Sequence, residues 1–141
     1  MNINLFTDLE TNFFGTYLVK VRRAKRLMQK QVAIDAGLDA SYLAALERGR
    51  RLPPRAEVMK KLFLALEANE NEQSEMKYAA SLSRMSNELV GNAINFPGVE
   101  VALAVLEAAG RMTPEELAAL ATMIHSLGSR QVPLIGRSNM G

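Results

Sequence analysis

The side chains that could bind a partner by charge are concentrated in the first half of the chain. Residues 1–66 contain 12 Lys and Arg against 6 Asp and Glu, a net charge of +6, whereas residues 67–141 have a net charge of −4. A polyanion such as nucleic acid is the electrostatically favoured partner of the first half. A solvated helix face rich in Lys and Arg would give the same composition, so charge alone leaves both interpretations open.

Residues suited to catalysis or metal binding are sparse. His125 is the only histidine and cysteine is absent, so we expect no metal site and no disulfide. Glu115 and Glu116 follow Thr113 and Pro114, where a helix N-terminus explains them better than acid–base chemistry does. The chain contains neither G-x-x-x-x-G-K-[ST] nor G-x-G-x-x-G. We therefore expect a protein that is not an enzyme and that needs no cofactor.

Composition and hydropathy favour a globular protein of the cytoplasm. Apolar residues make up 48% of the chain and charged residues 23%. No stretch reaches the roughly 18 to 20 apolar residues of a membrane span, and the acidic opening Met1–Glu10 does not read as a signal peptide. The lack of cysteine suits a reducing compartment. We expect no contact with a membrane.

The apolar residues recur at intervals of three and four, which predicts helices throughout and no strand. Phe14, Leu18 and Val21 form one face of the first helix, with Thr11 available as its N-cap. A short second helix is predicted over residues 29–36, ending at Gly37. Asp39 is positioned to cap a third helix at residues 40–48, which Gly49 ends.

Four further helices follow the prolines at positions 53 and 54. The predicted ranges are 55–66, with Val58, Leu62 and Leu66 on one face, then 72–88, 98–109 and 114–128. The acidic run 67–75 indicates a boundary. The predicted organisation is therefore a basic domain at 1–68, for which nucleic acid is the electrostatically favoured partner, a C-terminal helical region at 69–128, and a mobile tail at 129–141.

The second and third helices meet the requirements of a helix-turn-helix. Ala33 is small where the two helices cross, and Gly37 allows the sharp turn between them. Leu38 fills the space inside the turn. The outward face of the third helix is then free to enter a DNA major groove. The shared core is predicted to contain Val32, Leu43 and Leu46.

The segment QKQVAIDAGLDASYLAALERGRRLPP, residues 29–54, closely resembles the signature of the Cro and lambda-repressor type of transcriptional regulator, the XRE family. The resemblance covers about 55 residues of the chain. It implies an all-α fold: a lambda-repressor-like helix-turn-helix bundle, here followed by a small C-terminal helical region. It also implies double-stranded DNA as the partner, bound by a homodimer at half-sites about 34 Å apart.

The resemblance assigns roles to individual residues. Three of the four positions from which the family reads base edges are alanines here, and alanine cannot make the bidentate contacts of Arg, Asn or Gln. We therefore expect weak direct readout, supplemented by DNA shape. The implied base-reading face is Ala40, Ser41, Ala44, Ala45 and Arg48; the implied phosphate contacts are Gln29, Tyr42, Arg50, Arg51 and Arg55; and the implied structural ion pair is Arg22 with Glu47.

These observations predict a sequence-specific repressor that occupies a near-palindromic operator as a homodimer. The apolar surface of the last two predicted helices exceeds what a helical hairpin can hide, so residues 72–128 are predicted to dimerise. Two alternatives remain open. The protein could be the antitoxin of a toxin–antitoxin pair, with a protein partner on its C-terminal half, or an interaction adaptor that uses the helix-turn-helix fold without reading DNA.

Overall fold

The computed structural model describes residues 12–91 and 98–129, and in these ranges it contains seven α-helices and no strand. The predicted all-α class is confirmed. Most of the predicted tail at 129–141 lies outside the described residues. The helices are α1 (Phe13–Ala24), α2 (Gln29–Asp35), α3 (Ala40–Glu47), α4 (Ala56–Ala65), α5 (Glu70–Gly91), α6 (Val99–Ala109) and α7 (Pro114–Gly128).

Helix α1 buries the face that its spacing predicts. Phe14, Leu18 and Val21 are at most 4% exposed. The N-cap, however, is Asn12, whose Oδ1 accepts a hydrogen bond from the amide of Gly15 at 3.0 Å. The predicted cap, Thr11, lies outside the described residues. Both residue types are good N-caps, and the assignment of the cap to Asn12 is a correction of the prediction.

The turn between α2 and α3 has the predicted geometry. Gly37 adopts a left-handed φ of +65°, and the amide of Leu38 donates to the carbonyl of Ala33 at 2.8 Å. This pairing closes the end of α2 in a Schellman motif, which favours glycine at the left-handed position. Asp39 caps α3 by accepting from the amide of Ser41 at 2.8 Å. The helix-turn-helix is therefore specified by local capping at both ends of the turn.

One core joins α1 to α4. As predicted, this core contains Leu62 of α4 and Leu66 just beyond the end of that helix. The third predicted residue, Val58, is only half-buried. Met59 and Phe63 complete the buried face of α4 instead. The predicted residues Val32, Leu43 and Leu46 are all within 1% of full burial. Burial of each large apolar side chain contributes roughly 1.5–3 kcal/mol. The fully buried large side chains in this core include Phe14, Leu18, Leu43, Leu46, Leu62 and Leu66.

Helix α5 packs on α1 and extends this core. Met76 and Ala80 belong to the same buried cluster, and the amide of Phe14 donates to Ser83 Oγ at 2.9 Å. At the opposite end of the contact between α1 and α5, Lys25 just after α1 forms an ion pair with Glu72 of α5 at 2.9 Å. The predicted boundary after residue 68 therefore coincides with a helix connection across which the core continues. A functional division at that residue stays a prediction.

The chain divides into two compact units, one up to Glu107 and one from Ala108. In the second unit, α7 begins with the predicted capping box: Thr113 Oγ1 accepts from the amide of Glu116 at 3.1 Å, and the Glu116 side chain accepts from the amide of Thr113 at 2.9 Å. None of the residues of α7 is buried. Among the described helices, none is both long and apolar enough to cross a membrane.

Candidate nucleic-acid interface

The outward face of α3 is accessible and almost without polar groups. Ala40, Ser41 and Arg48 are exposed, whereas Ala44 and Ala45 are half-buried. Ser41 Oγ donates its proton to Asp39 Oδ1 at 2.6 Å. Towards a DNA base the hydroxyl can therefore act only as a hydrogen-bond acceptor. This hydrogen bond, followed by that from the Ser41 amide, holds the pKa of Asp39 below its usual range.

Four of the five predicted phosphate contacts line one concave surface. Tyr42, Arg50, Arg51 and Arg55 surround a volume of about 540 Å³, and Arg84 from α5 completes its rim. We call this surface the basic concavity; its remaining lining residues are Leu52, Pro53 and Pro54. The Arg51 guanidinium lies over the Tyr42 ring, 5.2 Å from its centroid. The surface carries four guanidinium groups and no acidic side chain, which suits a phosphate backbone.

The loop of the basic concavity is fixed by special backbone positions. Gly49 has a left-handed φ of +73° and ends α3, and the amide of Arg50 then donates to the carbonyl of Ala45 at 2.9 Å. Pro53 and Pro54 restrict their own φ angles and keep the residues before them extended. The chain therefore crosses from α3 to α4 as a short, stiff segment.

Arg22 and Glu47 form the predicted ion pair, which ties α1 to α3. Arg22 Nε donates to Glu47 Oε2 at 2.8 Å and Nη2 donates to Oε1 at 2.9 Å, a bidentate arrangement. Their side chains are only 12% and 5% exposed. Arg22 Nη1 also donates to the carbonyl of Leu27 at 2.9 Å, and Gln29 Nε2 donates to Glu47 Oε1 at 3.1 Å. The carboxylate thus accepts three hydrogen bonds from structural partners.

Comparison with known families identifies this part of the chain. Residues 14–76, a little under half of the protein, match the family model described as a helix-turn-helix domain. The segment is therefore similar in sequence to helix-turn-helix domains, and its helices form a helix-turn-helix bundle. The match extends from α1 to the first part of α5 and supports DNA binding as the role of the segment. No curated protein and no solved structure matches the chain significantly.

Gln29 occupies a different place in the helix-turn-helix domain from the other predicted phosphate contacts. Its side chain donates to Glu47 and does not line the basic concavity. Within the described residues, no side chain caps α2, because its N-cap position is Met28. A phosphate contact at Gln29 stays a prediction.

Sequence reasoning missed a second junction of the domain, between the start of α1 and the end of α3. Asn12 Nδ2 donates to the carbonyl of Glu47 at 3.0 Å. A Cβ on Gly15 would lie 2.5 Å from the carbonyl oxygen of Leu46 and 2.6 Å from that of Glu47. The helices can approach this closely only because residue 15 is glycine. The available signal was a glycine inside a helical pattern, three residues after a capping asparagine.

Arg84 was also missed, because nothing in the sequence places a residue of α5 beside the loop after α3. Its Nη2 donates to the carbonyls of Pro54, at 2.8 Å, and of Pro53, at 3.4 Å. His125, the candidate metal ligand considered above, is exposed on α7. In the ranges that the structure describes, no group of three or more His, Cys, Asp or Glu side chains could hold a metal ion. The absence of a cofactor stays a prediction.

Proposed function

We propose that this protein is a transcriptional regulator of the Cro and lambda-repressor type, which represses by occupying a near-palindromic operator as a homodimer. It acts by binding alone, without catalysis. One observation carries the proposal: Tyr42 belongs to α3 and also lines the basic concavity, so the recognition helix and the arginine-rich surface are continuous. Insertion of α3 into a major groove would then bring the adjacent backbone phosphates to the arginines.

Selection among DNA sequences would rest on few groups. Arg48 is exposed and has the fork geometry that recognises guanine. Ser41 offers an acceptor, which suits an exocyclic amine of adenine or cytosine, and the alanine methyl groups can pack on thymine methyl groups. Each good bidentate contact discriminates by about 1–3 kcal/mol. With so few such groups, the phosphate contacts should supply most of the affinity, and DNA shape should supply part of the specificity.

The decisive experiment measures DNA affinity as a function of salt for the wild type and a charge variant. The double variant Arg50→Ala, Arg51→Ala should bind every duplex more weakly, and the slope of log K against log salt should fall by about 2, since each phosphate contact contributes about 0.9. The control is Lys60→Ala, Lys61→Ala, which removes the same charge from exposed positions that do not line the basic concavity. Its slope should stay close to that of the wild type.

Absence of binding to any duplex at low salt would exclude the regulator. It would favour the second candidate function, an interaction adaptor, for which the alanine-rich face of α3 is the supporting observation. Equal losses in the arginine and lysine variants would show that net charge matters, rather than the basic concavity. Genome-wide footprinting of the purified protein then tests the operator, because a homodimer predicts two half-sites about one helical turn apart.

The homodimer within this proposal uses the C-terminal helical region. Leu117, Met123, Ile124 and Leu127 of α7 are between 38% and 60% exposed, an apolar surface that a second subunit would cover. Sedimentation should give twice the protomer mass at micromolar concentration, and Ile124→Glu should give the protomer mass. If α7 instead binds a toxin, the chain should purify with a second protein and sediment as a monomer without it.

A further inference from the structure

The segment between α3 and α4 behaves as a strut with an arginine at each end. Leu52, Pro53 and Pro54 form its body, and Arg51 and Arg55 flank it. Two successive prolines fix φ twice and keep the preceding residues extended, so the segment has few soft dihedral angles. A contact that fixes the backbone of Leu52–Pro54 therefore also fixes the backbone positions of the two flanking arginines.

Arg84 holds that body from outside the loop. Its Nη2 donates to the carbonyls of Pro54 at 2.8 Å and Pro53 at 3.4 Å, which are thirty and thirty-one positions away in the chain. A hydrogen bond from a charged donor is shorter and stronger than one between neutral groups. The strut is thus tied to α5 by a charge-assisted contact at its centre.

Helix α5 is a rigid support for this contact. The residue before Arg84 is Ser83, which is buried and accepts a hydrogen bond from the amide of Phe14 at the start of α1. The backbone that carries Arg84 is therefore fixed to the helix-turn-helix core. Residue 84 nevertheless lies eight positions beyond the segment that matches the helix-turn-helix family.

We propose that Arg84 is a positioning residue for DNA binding: it holds the Leu52–Pro54 strut so that Arg51 and Arg55 face the phosphate backbone. This inference rests on the proposed function. It makes α5 a part of the DNA-binding apparatus rather than a connection to the C-terminal region. Arg84 lines the rim of the basic concavity, but its effect on affinity passes through the two loop arginines.

The first test compares two charge-neutralising variants on the same helix. Arg84→Gln removes the guanidinium that donates to the Pro53 and Pro54 carbonyls. Lys77→Gln removes the same charge from an exposed position of α5 that does not line the basic concavity. Binding of the full chain to a fluorescein-labelled, mixed-sequence duplex of about 24 base pairs is followed by anisotropy. Arg84→Gln should weaken binding on the order of tenfold, and the salt slope should fall by about 1 to 2 as the loop contacts loosen. Lys77→Gln should change the affinity by less than about twofold.

A double-mutant cycle separates positioning from direct contact. In the background Arg51→Ala, Arg55→Ala, the substitution Arg84→Gln should have little further effect, because the groups through which it acts are gone. The same tenfold loss in that background would show that Arg84 binds phosphate itself, and would overturn the inference. So would an unchanged affinity of Arg84→Gln, or an equal loss in Lys77→Gln. Failure of the wild type to bind any DNA would instead refute the proposed function.

Hydrogen exchange distinguishes a local effect on the loop from a general loss of stability. In Arg84→Gln the amides of Arg50 and Met59, which are hydrogen-bonded at the two ends of the loop, should exchange faster, whereas the amide of Leu18 in the core should keep its protection. Arg84→Lys should restore part of the affinity, since an ammonium can donate to these carbonyls but lacks the planar fork of a guanidinium. Uniformly faster exchange would mean that Arg84 stabilises the fold as a whole, and the positioning role would be rejected.

Discussion

The bidentate pair between Arg22 and Glu47 gives the sharpest test of how the helix-turn-helix is held together. Arg22→Met deletes two hydrogen bonds to Glu47 and one to the carbonyl of Leu27, and leaves the carboxylate with Gln29 as its side-chain partner. The Glu47 side chain is 5% exposed, so water cannot replace what is lost. Removal of one member of a buried pair costs about 3–5 kcal/mol. That is a large part of a typical folding free energy of 5–15 kcal/mol.

The reverse substitution should be as harmful, and the double substitution should not. Glu47→Met leaves Arg22, whose side chain is 12% exposed, without its carboxylate partner, at a similar cost of about 3–5 kcal/mol. With Arg22→Met and Glu47→Met together, no charge is left buried and the two thioether side chains can fill the space. The double variant should therefore be more stable than either single variant, because replacement of a whole buried pair by apolar residues is often close to neutral.

Urea unfolding followed by circular dichroism at 222 nm measures the three variants and the wild type. The slope of the free energy of unfolding against urea should be unchanged, so that differences in midpoint report stability. A double variant whose loss equals the sum of the two single losses would show that the pair does not couple α1 to α3. Single losses below about 1 kcal/mol would show that the pair behaves as an exposed surface pair, and the reasoning from burial would be refuted.

Three further changes probe the scaffold. Gly15→Ala should lower the free energy of unfolding by about 2 kcal/mol in urea melts, because its Cβ would meet two backbone carbonyl oxygens. In the control Gly91→Ala the new Cβ meets no atom within 4 Å, so this variant should be neutral or slightly stabilising. Equal effects of the two substitutions would contradict the close approach of α1 and α3 at Gly15. Ser86→Ala should raise it by about 1 kcal/mol, since Ser86 is fully buried and its Oγ has no partner among the described residues; a decrease would show an unseen partner. Because hydrogen bonds from Ser41 lower the pKa of Asp39, the stabilising effect of this cap is present above the unfolded-state pKa and is lost as pH falls through the lower folded-state pKa. The protection factor of the Ser41 amide should therefore fall on acidification through this range, and should not do so in Asp39→Asn.

The parts of the fold that sequence predicted are those in which a position demands a particular residue type. Gly37 and Gly49 occupy left-handed backbone positions, and Asp39 and Thr113 accept from the first amides of their helices. Two other helix ends gave no such signal. Helices α1 and α4 also end in Schellman motifs, but the left-handed residues are Arg26 (φ 57°) and Glu67 (φ 50°). Both residues adopt a left-handed conformation that is costly for a residue with a Cβ atom, and residue type alone does not reveal it.

The acidic run 67–75, which indicates a boundary by its composition, also contains a helix N-cap. Asn69 Oδ1 accepts from the amide of Glu72, and Glu72 Oε1 accepts from the amide of Asn69, at 2.8 and 3.0 Å. This reciprocal pair starts α5 two residues earlier than predicted and joins it closely to α4. The consequence for the candidate site is direct, because the register of α5 decides which of its residues reaches the loop after α3. That register places Arg84 beside Pro53 and Pro54, a long-range contact that local pattern cannot predict.

The alanines of α3 and the loop held by Arg84 bear on the same quantity, the contribution of phosphate contacts to DNA affinity. In the proposed regulator few side chains reach the base edges, so most of the DNA-binding energy would come from phosphate contacts, and these would be effective only with the loop arginines held in place before binding. The rigid elements around the site provide that order: Asn12 and Arg22 fix α3 against α1, and Arg84 fixes the strut against α5. A loosened scaffold would therefore reduce affinity for all sequences together, whereas a change at Ser41 or Arg48 would redistribute affinity among sequences. Under the proposal, this difference between the two kinds of variant would distinguish residues that contact or position phosphates from residues that select the base sequence.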